Sequence, residues 1–176
     1  MKRIMVIGVS AGVGKSTFAR RLGELLQLKV YHLDAYFWKP NWVEASLEEF
    51  VSAQQIILQK KKWIVEGSYN NTFELRVKSA DTIIYLELPL RVCLYRVIKR
   101  WLTNLGKTRM DMGKGCKEKL DWRFLKFIIT TYFSRKKKMK ARLKAIQEKD
   151  LQKQIILLQT KKDIEAYLVK LEGSLV

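Results

Sequence analysis

One stretch near the start of the chain constrains its fold more than any other. Ile4-Met5-Val6-Ile7 is an apolar run, Gly8-Val9-Ser10-Ala11-Gly12-Val13-Gly14 follows as a glycine-rich turn, and Lys15-Ser16-Thr17 stands where a helix should begin. A strand feeding such a turn into a helix N-terminus is the wiring of a P-loop. Its backbone N–H groups wrap phosphate oxygens, and the helix dipole favours their charge. On this reading Gly12, Val13, Gly14, Lys15, Ser16 and Thr17 cradle the phosphates of ATP. Lys15 reaches the β- and γ-phosphates, and the Ser16 hydroxyl ligates Mg²⁺. The usual pattern places its first glycine five positions before Gly14, where this chain has Val9; Gly8 lies one position earlier. We read a one-residue shift between strand end and loop, because Gly12 and Gly14 stay where backbone must approach phosphate. The alternative is a plain glycine-rich turn joining a strand to a helix.

The rest of the chain alternates strand and helix signals. Residues 2–8 read as a buried central strand, and 16–26 as the helix after the loop. A short strand over 29–33 ends at Asp34. An aromatic loop with Tyr36, Phe37, Trp38 and Trp42 follows around the Pro40-Asn41 turn. Ser46, with Glu49 three positions on, forms a capping box for a helix to about residue 59. Residues 63–66 make a third strand, 67–71 a polar loop, 73–78 a short helix and 81–88 a fourth strand. Pro89 ends that strand and opens a helix to about residue 105. Glycines 106, 113 and 115 punctuate an irregular loop over 106–115. Helical patterning returns over 116–130 and again over 134–149, before a fifth strand at 154–158 and a last helix at 162–171.

This alternation implies an α/β fold with a five-stranded parallel sheet and helices on both faces. With the P-loop it reads as a three-layer P-loop NTPase fold in a single domain over 1–176. Its 48% apolar content is enough for a substantial core. Residues 101–149 form an insertion before the last strand, a helical and loop lid that carries a basic segment.

Ligands of such a sheet bind at the carboxyl ends of its strands, where Gly8, Asp34 and Glu66-Gly67 fall. Phosphoryl transfer needs an acid there to hold Mg²⁺, directly or through water, and at times one to orient the attacking hydroxyl. Glu66 ends Trp63-Ile64-Val65-Glu66 in the manner of a Walker B acid. Asp34 can take the proton of an acceptor hydroxyl or share the metal. The division of roles between them is open, and either acid can instead serve as a turn or N-cap residue.

Arg91, Arg96 and Arg100 lie on the helix after the fourth strand, the last two on one face, and Lys107 and Arg109 sit in the glycine-punctuated loop. Such cations neutralise a migrating phosphoryl group when a loop closes over it. Singly each also suits a solvated basic face; as a set they favour a cationic lid. The aromatic loop can stack a base, or form core under the helix that Ser46 caps. His32 has no second histidine or cysteine nearby for a metal site and reads as a satisfied core histidine.

The net charge of +18 is concentrated. Residues 91–149 hold 19 Lys and Arg against 4 Asp and Glu, and the remainder 16 against 13. The run Ser134-Arg135-Lys136-Lys137-Lys138-Met139-Lys140-Ala141-Arg142-Leu143-Lys144 is its densest part. It is either a solvated helix or a contact for nucleic acid, without zinc-finger spacing or an RNA-recognition signature. Cys93 and Cys116 are too few for a disulfide framework and fit a reducing compartment. No run approaches the roughly 20 apolar residues of a membrane span. Met1-Lys2-Arg3 leads straight into the first strand without a signal peptide. The expected location is cytoplasmic.

With these residues in hand, the chain is similar to the P-loop nucleoside monophosphate kinase-like superfamily. More closely it resembles the bacterial DNA topology modulation (FlaR-like) proteins. The likeness rests on residues 6–17, Tyr31-His32-Leu33-Asp34, Trp63-Ile64-Val65-Glu66-Gly67, Ile83-Ile84-Tyr85-Leu86 and residues 116–125. It implies an acceptor beside Asp34 to Trp42, a lid over 106–115, and adenine near Thr160-Lys161-Lys162. It also places Arg76 where related kinases hold an acceptor phosphate. Two departures stand out. The third strand ends in Glu66-Gly67 rather than Asp-Gly, and the acceptor side matches neither adenylate kinases nor shikimate or gluconate kinases. Two functions follow as expectations. One is an ATP- and Mg²⁺-dependent kinase acting on a small acceptor such as a nucleotide or nucleoside. The other is a nucleic-acid-associated ATP-binding protein that uses residues 91–149.

Overall fold

The computed structural model describes residues 1–109, 111–113, 115–117 and 121–174. Positions 110 and 114 of the expected lid, and 118–120 of the helix expected over 116–130, lie outside the described residues.

In chain order the elements are β1 (Arg3–Gly8), α1 (Lys15–Leu26), β2 (Val30–His32), α2 (Asp34–Phe37), β3 (Trp38–Lys39) and β4 (Val43–Glu44). They continue with α3 (Leu47–Leu58), β5 (Trp63–Glu66), α4 (Phe73–Ser79), β6 (Thr82–Leu86), α5 (Leu90–Thr103), α6 (Trp122–Lys149), β7 (Gln154–Leu158) and α7 (Lys161–Gly173). Five strands form one parallel sheet in the order β2-β5-β1-β6-β7. Helices cover it in a three-layer α/β arrangement, as the strand–helix alternation predicts. The central strands β1, β5 and β6 are buried almost throughout, because continuous apolar strands must be covered on both faces. The core runs through Ile4, Ile7, Leu22, Trp63, Ile83 and Tyr85, all fully buried.

Local signals explain most boundaries. Ser46 caps α3, accepting from the Glu49 N–H while the Glu49 side chain accepts from Ser46, and this capping box is the expected one. An equivalent box, Thr160 with Asp163, starts α7.

Three elements differ from expectation. β2 ends at His32, and Asp34 opens the short α2 instead of closing a strand; the Leu33 N–H still reaches the Glu66 carbonyl at 2.8 Å. The aromatic segment is no open loop. It folds into α2 and the antiparallel pair β3–β4, with Asn41 and Trp42 both at positive φ in the turn between them. The two helices expected over 116–130 and 134–149 are one, α6, which starts only at Trp122 behind the Asp121 cap and has 28 residues, a length of about 42 Å. Thr130 and Thr131 do not end it. Their hydroxyls donate back to the carbonyls of Lys126 and Phe127 at 2.9 and 2.7 Å, so both side chains find partners within the helix.

Candidate active site

The residues between β1 and α1 form a loop around one large cleft. At its root, the Val9 N–H continues the sheet by donating to the Leu86 carbonyl at 3.0 Å. Val9 thus remains in extended pairing and needs no glycine, which accounts for the one-residue offset of the motif. Left-handed backbone is reserved for Gly12 (φ 77°) and Gly14 (φ 100°). A Cβ on Gly12 would overlap the Cys93 carbonyl oxygen, and one on Gly14 would lie 2.9 Å from Arg96 Nη1. These two positions accept only glycine without rearrangement.

The cleft has a volume of about 1930 Å³ and brings together Gly12, Val13, Gly14, Lys15, Ser16, Thr17, Asp34, Glu66, Arg96, Arg100 and Arg109. Glu66, at the end of β5 and only 3% exposed, is the hub. Its Oε2 accepts from Ser16 Oγ at 3.1 Å and lies 2.9 Å from His32 Nδ1, and its Oε1 is 3.9 Å from Lys15 Nζ. Burial opposes a charged imidazole at His32, but the hydrogen bond to Glu66 and the charges of Glu66, Asp111 and Asp34 outweigh it, and the His32 pKa is raised. His32 is thus held by a site carboxylate at the cleft wall, where a core histidine was expected.

Asp34 stands across from Glu66 with its Oδ1 accepting from the Tyr69 hydroxyl at 2.6 Å. Burial, then the neighbouring Glu66, raise its pKa, against the opposing pull of Tyr69, Lys15 and Arg109. Tyr69 itself is pushed above the ordinary phenol range by burial and by Asp34. A third acid enters from the loop after α5. Asp111 accepts from Arg109 Nη1 at 3.1 Å. Burial would raise its pKa, but the Arg109 charge, a hydrogen bond with the Ser16 side chain and the His32 charge hold it low.

Cations line the same cleft. Arg96 donates from Nη1 to the Val13 carbonyl at 3.0 Å and so sits directly on the loop. Arg100, Lys107 and Arg109 line the same space. The loop after α5 is fastened to the β3–β4 hairpin: Trp42 Nε1 donates to the Lys117 carbonyl at 2.9 Å, and Cys116 Sγ lies 3.2 Å from the Lys39 carbonyl. The aromatic segment divides its labour. Phe37 packs on Phe50 and Tyr69 in the core, while Trp38 and Trp42, edge to face at 5.4 Å, line the cleft. At the far end, Lys161 lines the cleft while Thr160 is occupied as a helix cap.

One expectation is corrected. Arg76 is fully buried, and its guanidinium donates to the carbonyls of Gly67, Tyr69 and Thr72. Burial lowers its pKa to about 10. It braces the loop after β5 and is not placed to meet an acceptor phosphate. Tyr69 and Asp111 carry no motif that singles them out; only their positions, just after Glu66-Gly67 and two residues after Arg109, point to the site.

The donor set suits a magnesium ion shared with phosphate. Ser16 and Glu66 offer hard oxygen ligands side by side. Among the described residues no cluster of three or more His, Cys, Asp or Glu could cage a metal by itself. Mg²⁺ takes few protein oxygens and completes its shell with phosphate and water.

No family model matches the chain, and no curated protein matches it. Among solved structures it is similar to shikimate kinase from Acinetobacter baumannii in complex with shikimate, with a TM-score of 0.57, 15% identity and coverage of 99% of this chain and 93% of that one. A shikimate kinase from Bacteroides thetaiotaomicron aligns with a TM-score of 0.52 and 17% identity over 99% and 98% of the two chains. A gluconokinase from Sinorhizobium meliloti aligns with a TM-score of 0.53 and 13% identity over 99% and 95%. At these identities the likeness is one of fold, the three-layer α/β arrangement with a P-loop after its first strand. No helix among the described residues is long and apolar enough to cross a membrane.

Proposed function

We propose that this chain is a Mg²⁺-dependent kinase that moves the γ-phosphoryl group of ATP to a hydroxyl or phosphate of a small acceptor, such as a nucleoside or nucleotide. The observation that carries the reading is the convergence on Glu66 of Lys15, Ser16 and His32, with Asp34 facing it across the cleft. Residues 12–17 bind the phosphates through backbone N–H groups, and Lys15 holds the β- and γ-phosphates. Ser16 and Glu66 would hold Mg²⁺, which when bound neutralises charge between the phosphates. Asp34 takes the proton of an acceptor hydroxyl as its oxygen bonds to the γ-phosphorus and the bond to the leaving ADP breaks. Arg96, Arg100 and Arg109 stabilise the charge on the group in transit. The loop after α5 and the start of α6 act as the lid within this single domain.

Exchanging Lys15 for alanine tests the assignment. Turnover should fall by at least about a hundredfold while the unfolding transition stays in place. Undiminished turnover would remove the P-loop from the mechanism.

The charge of residues 91–149 supports a second reading, an ATP-binding protein that associates with nucleic acid, in keeping with the resemblance to DNA topology modulation proteins. Lys137 and Lys144 are exposed on α6. Lys136 and Lys140 are engaged by Glu87 and Arg142 by Glu74, which leaves fewer cations for a phosphate backbone. Binding that weakens steeply with salt is the signature to seek.

A further inference from the structure

Arg135 lies midway along α6 and lines the main cleft, and with Lys138 it also lines a second cavity of about 170 Å³. Gly8, Val9, Ser68 and Asn70 wall that cavity near the sheet, and Met139 and Arg142 complete it from α6. It therefore sits at the carboxyl ends of β1 and β5. Ser68 and Asn70 flank Tyr69, the residue that holds Asp34. Asp34, Arg135 and Lys138 all line the main cleft.

Arg135 differs from its neighbours in the basic run. Lys136 and Lys140 each approach Glu87 Oε1, at 3.0 and 3.1 Å, and Arg142 holds Glu74 at 2.6 Å. Arg135 is half-buried, yet among the described residues no carboxylate pairs with it; its contact is the Phe127 ring, 5.4 Å away. Burial pulls its pKa below the ordinary arginine value. Withdrawing a guanidinium from water without a counter-charge is costly, and the cost is offset once an anion arrives. The guanidinium fork matches the two oxygens of a carboxylate or the face of a phosphate. Ser10 Oγ, in the same cleft, is buried and has no hydrogen-bond partner among the described residues.

We propose that Arg135 and Lys138 form an anion subsite beside Asp34, and that the acceptor is a small molecule bearing a phosphate or carboxylate group. This rests on the kinase reading for the word acceptor; the subsite itself does not. The probes are inorganic phosphate and acetate, titrated calorimetrically into protein saturated with Mg²⁺ and a non-hydrolysable ATP analogue, which fills the P-loop. Wild-type protein should bind one of the two anions. Arg135→Gln and Lys138→Gln should each weaken that binding about tenfold, with the affinity for the analogue unchanged. Preference for phosphate names a phosphomonoester acceptor, and preference for acetate a carboxylate. Lys138 is exposed, so its variant keeps the test readable where Arg135→Gln fails to fold. No anion binding by the loaded wild type, or binding indifferent to both substitutions, overturns the subsite. Failure of the analogue itself to bind would strike the kinase reading instead. Phosphate and acetate titrations of Lys15→Ala without nucleotide, with and without Arg135→Gln added, then decide the subsite alone: the part of the binding that Arg135→Gln removes belongs to it, and no such difference overturns it.

Discussion

The Tyr69 hydroxyl donates to Asp34 Oδ1 at 2.6 Å, so the loop after β5 positions the carboxylate proposed to take the acceptor's proton. Burial and Glu66 push the Asp34 pKa up, and this hydrogen bond pushes it down. Asp34 can accept a proton only when ionised, so turnover falls as pH drops through its pKa. Tyr69→Phe removes a stabiliser of the ionised form and should move the acidic limb of the kcat/KM profile to higher pH. A limb that stays in place would mean another group takes the proton.

His32 is the only histidine in the chain, so one NMR titration reads it without overlap. Its pKa should lie above the ordinary value, and in Glu66→Gln it should drop, because the hydrogen bond and the charge that raise it are lost. A raised folded-state pKa stabilises the fold below the unfolded value near 6.5, and that contribution disappears as pH climbs through the raised pKa. The same variant should lose turnover on the order of a hundredfold. A His32 pKa unmoved by the substitution would separate the two side chains in solution.

Gly12→Ala places a side chain at φ 77° against the Cys93 carbonyl. The strain and the overlap together should cost about 2–4 kcal/mol in urea unfolding, with loss of nucleotide binding. A stability change under about 0.5 kcal/mol would show that the loop relaxes freely away from α5.

Arg76→Met leaves the carbonyls of Gly67, Tyr69 and Thr72 without their donor. Stability should fall by about 2–4 kcal/mol. An acceptor-binding arginine would behave otherwise, raising the acceptor KM while leaving the unfolding midpoint alone.

Features set by local chemistry were legible before the fold was seen. The glycine spacing of residues 12–14, the apolar runs of β1 and β6, and the Ser46–Glu49 box each depend on neighbours within a few positions. Features set at long range were not. Arg76 reads as any helix arginine until the fold surrounds it with three carbonyls, and His32 reads as core until Glu66, 34 residues away, meets its ring. The Thr130-Thr131 pair interrupts the helical pattern in the sequence, yet α6 runs through it with both hydroxyls bonded back to the carbonyls of Lys126 and Phe127. Arg135 and Lys138 belong by sequence to an undifferentiated basic run. Which of its cations face Glu87 or Glu74, and which face the cleft, is decided by the packing of α6 on the sheet.

The central claim is phosphoryl transfer from ATP to a small acceptor, and its most direct test is ADP formation with Mg²⁺ across nucleosides, nucleoside monophosphates, hydroxy acids, sugars and DNA. The account predicts ADP in step with one phosphorylated small acceptor, and none with Lys15→Ala. ATP hydrolysis that DNA stimulates and no small acceptor changes would contradict it.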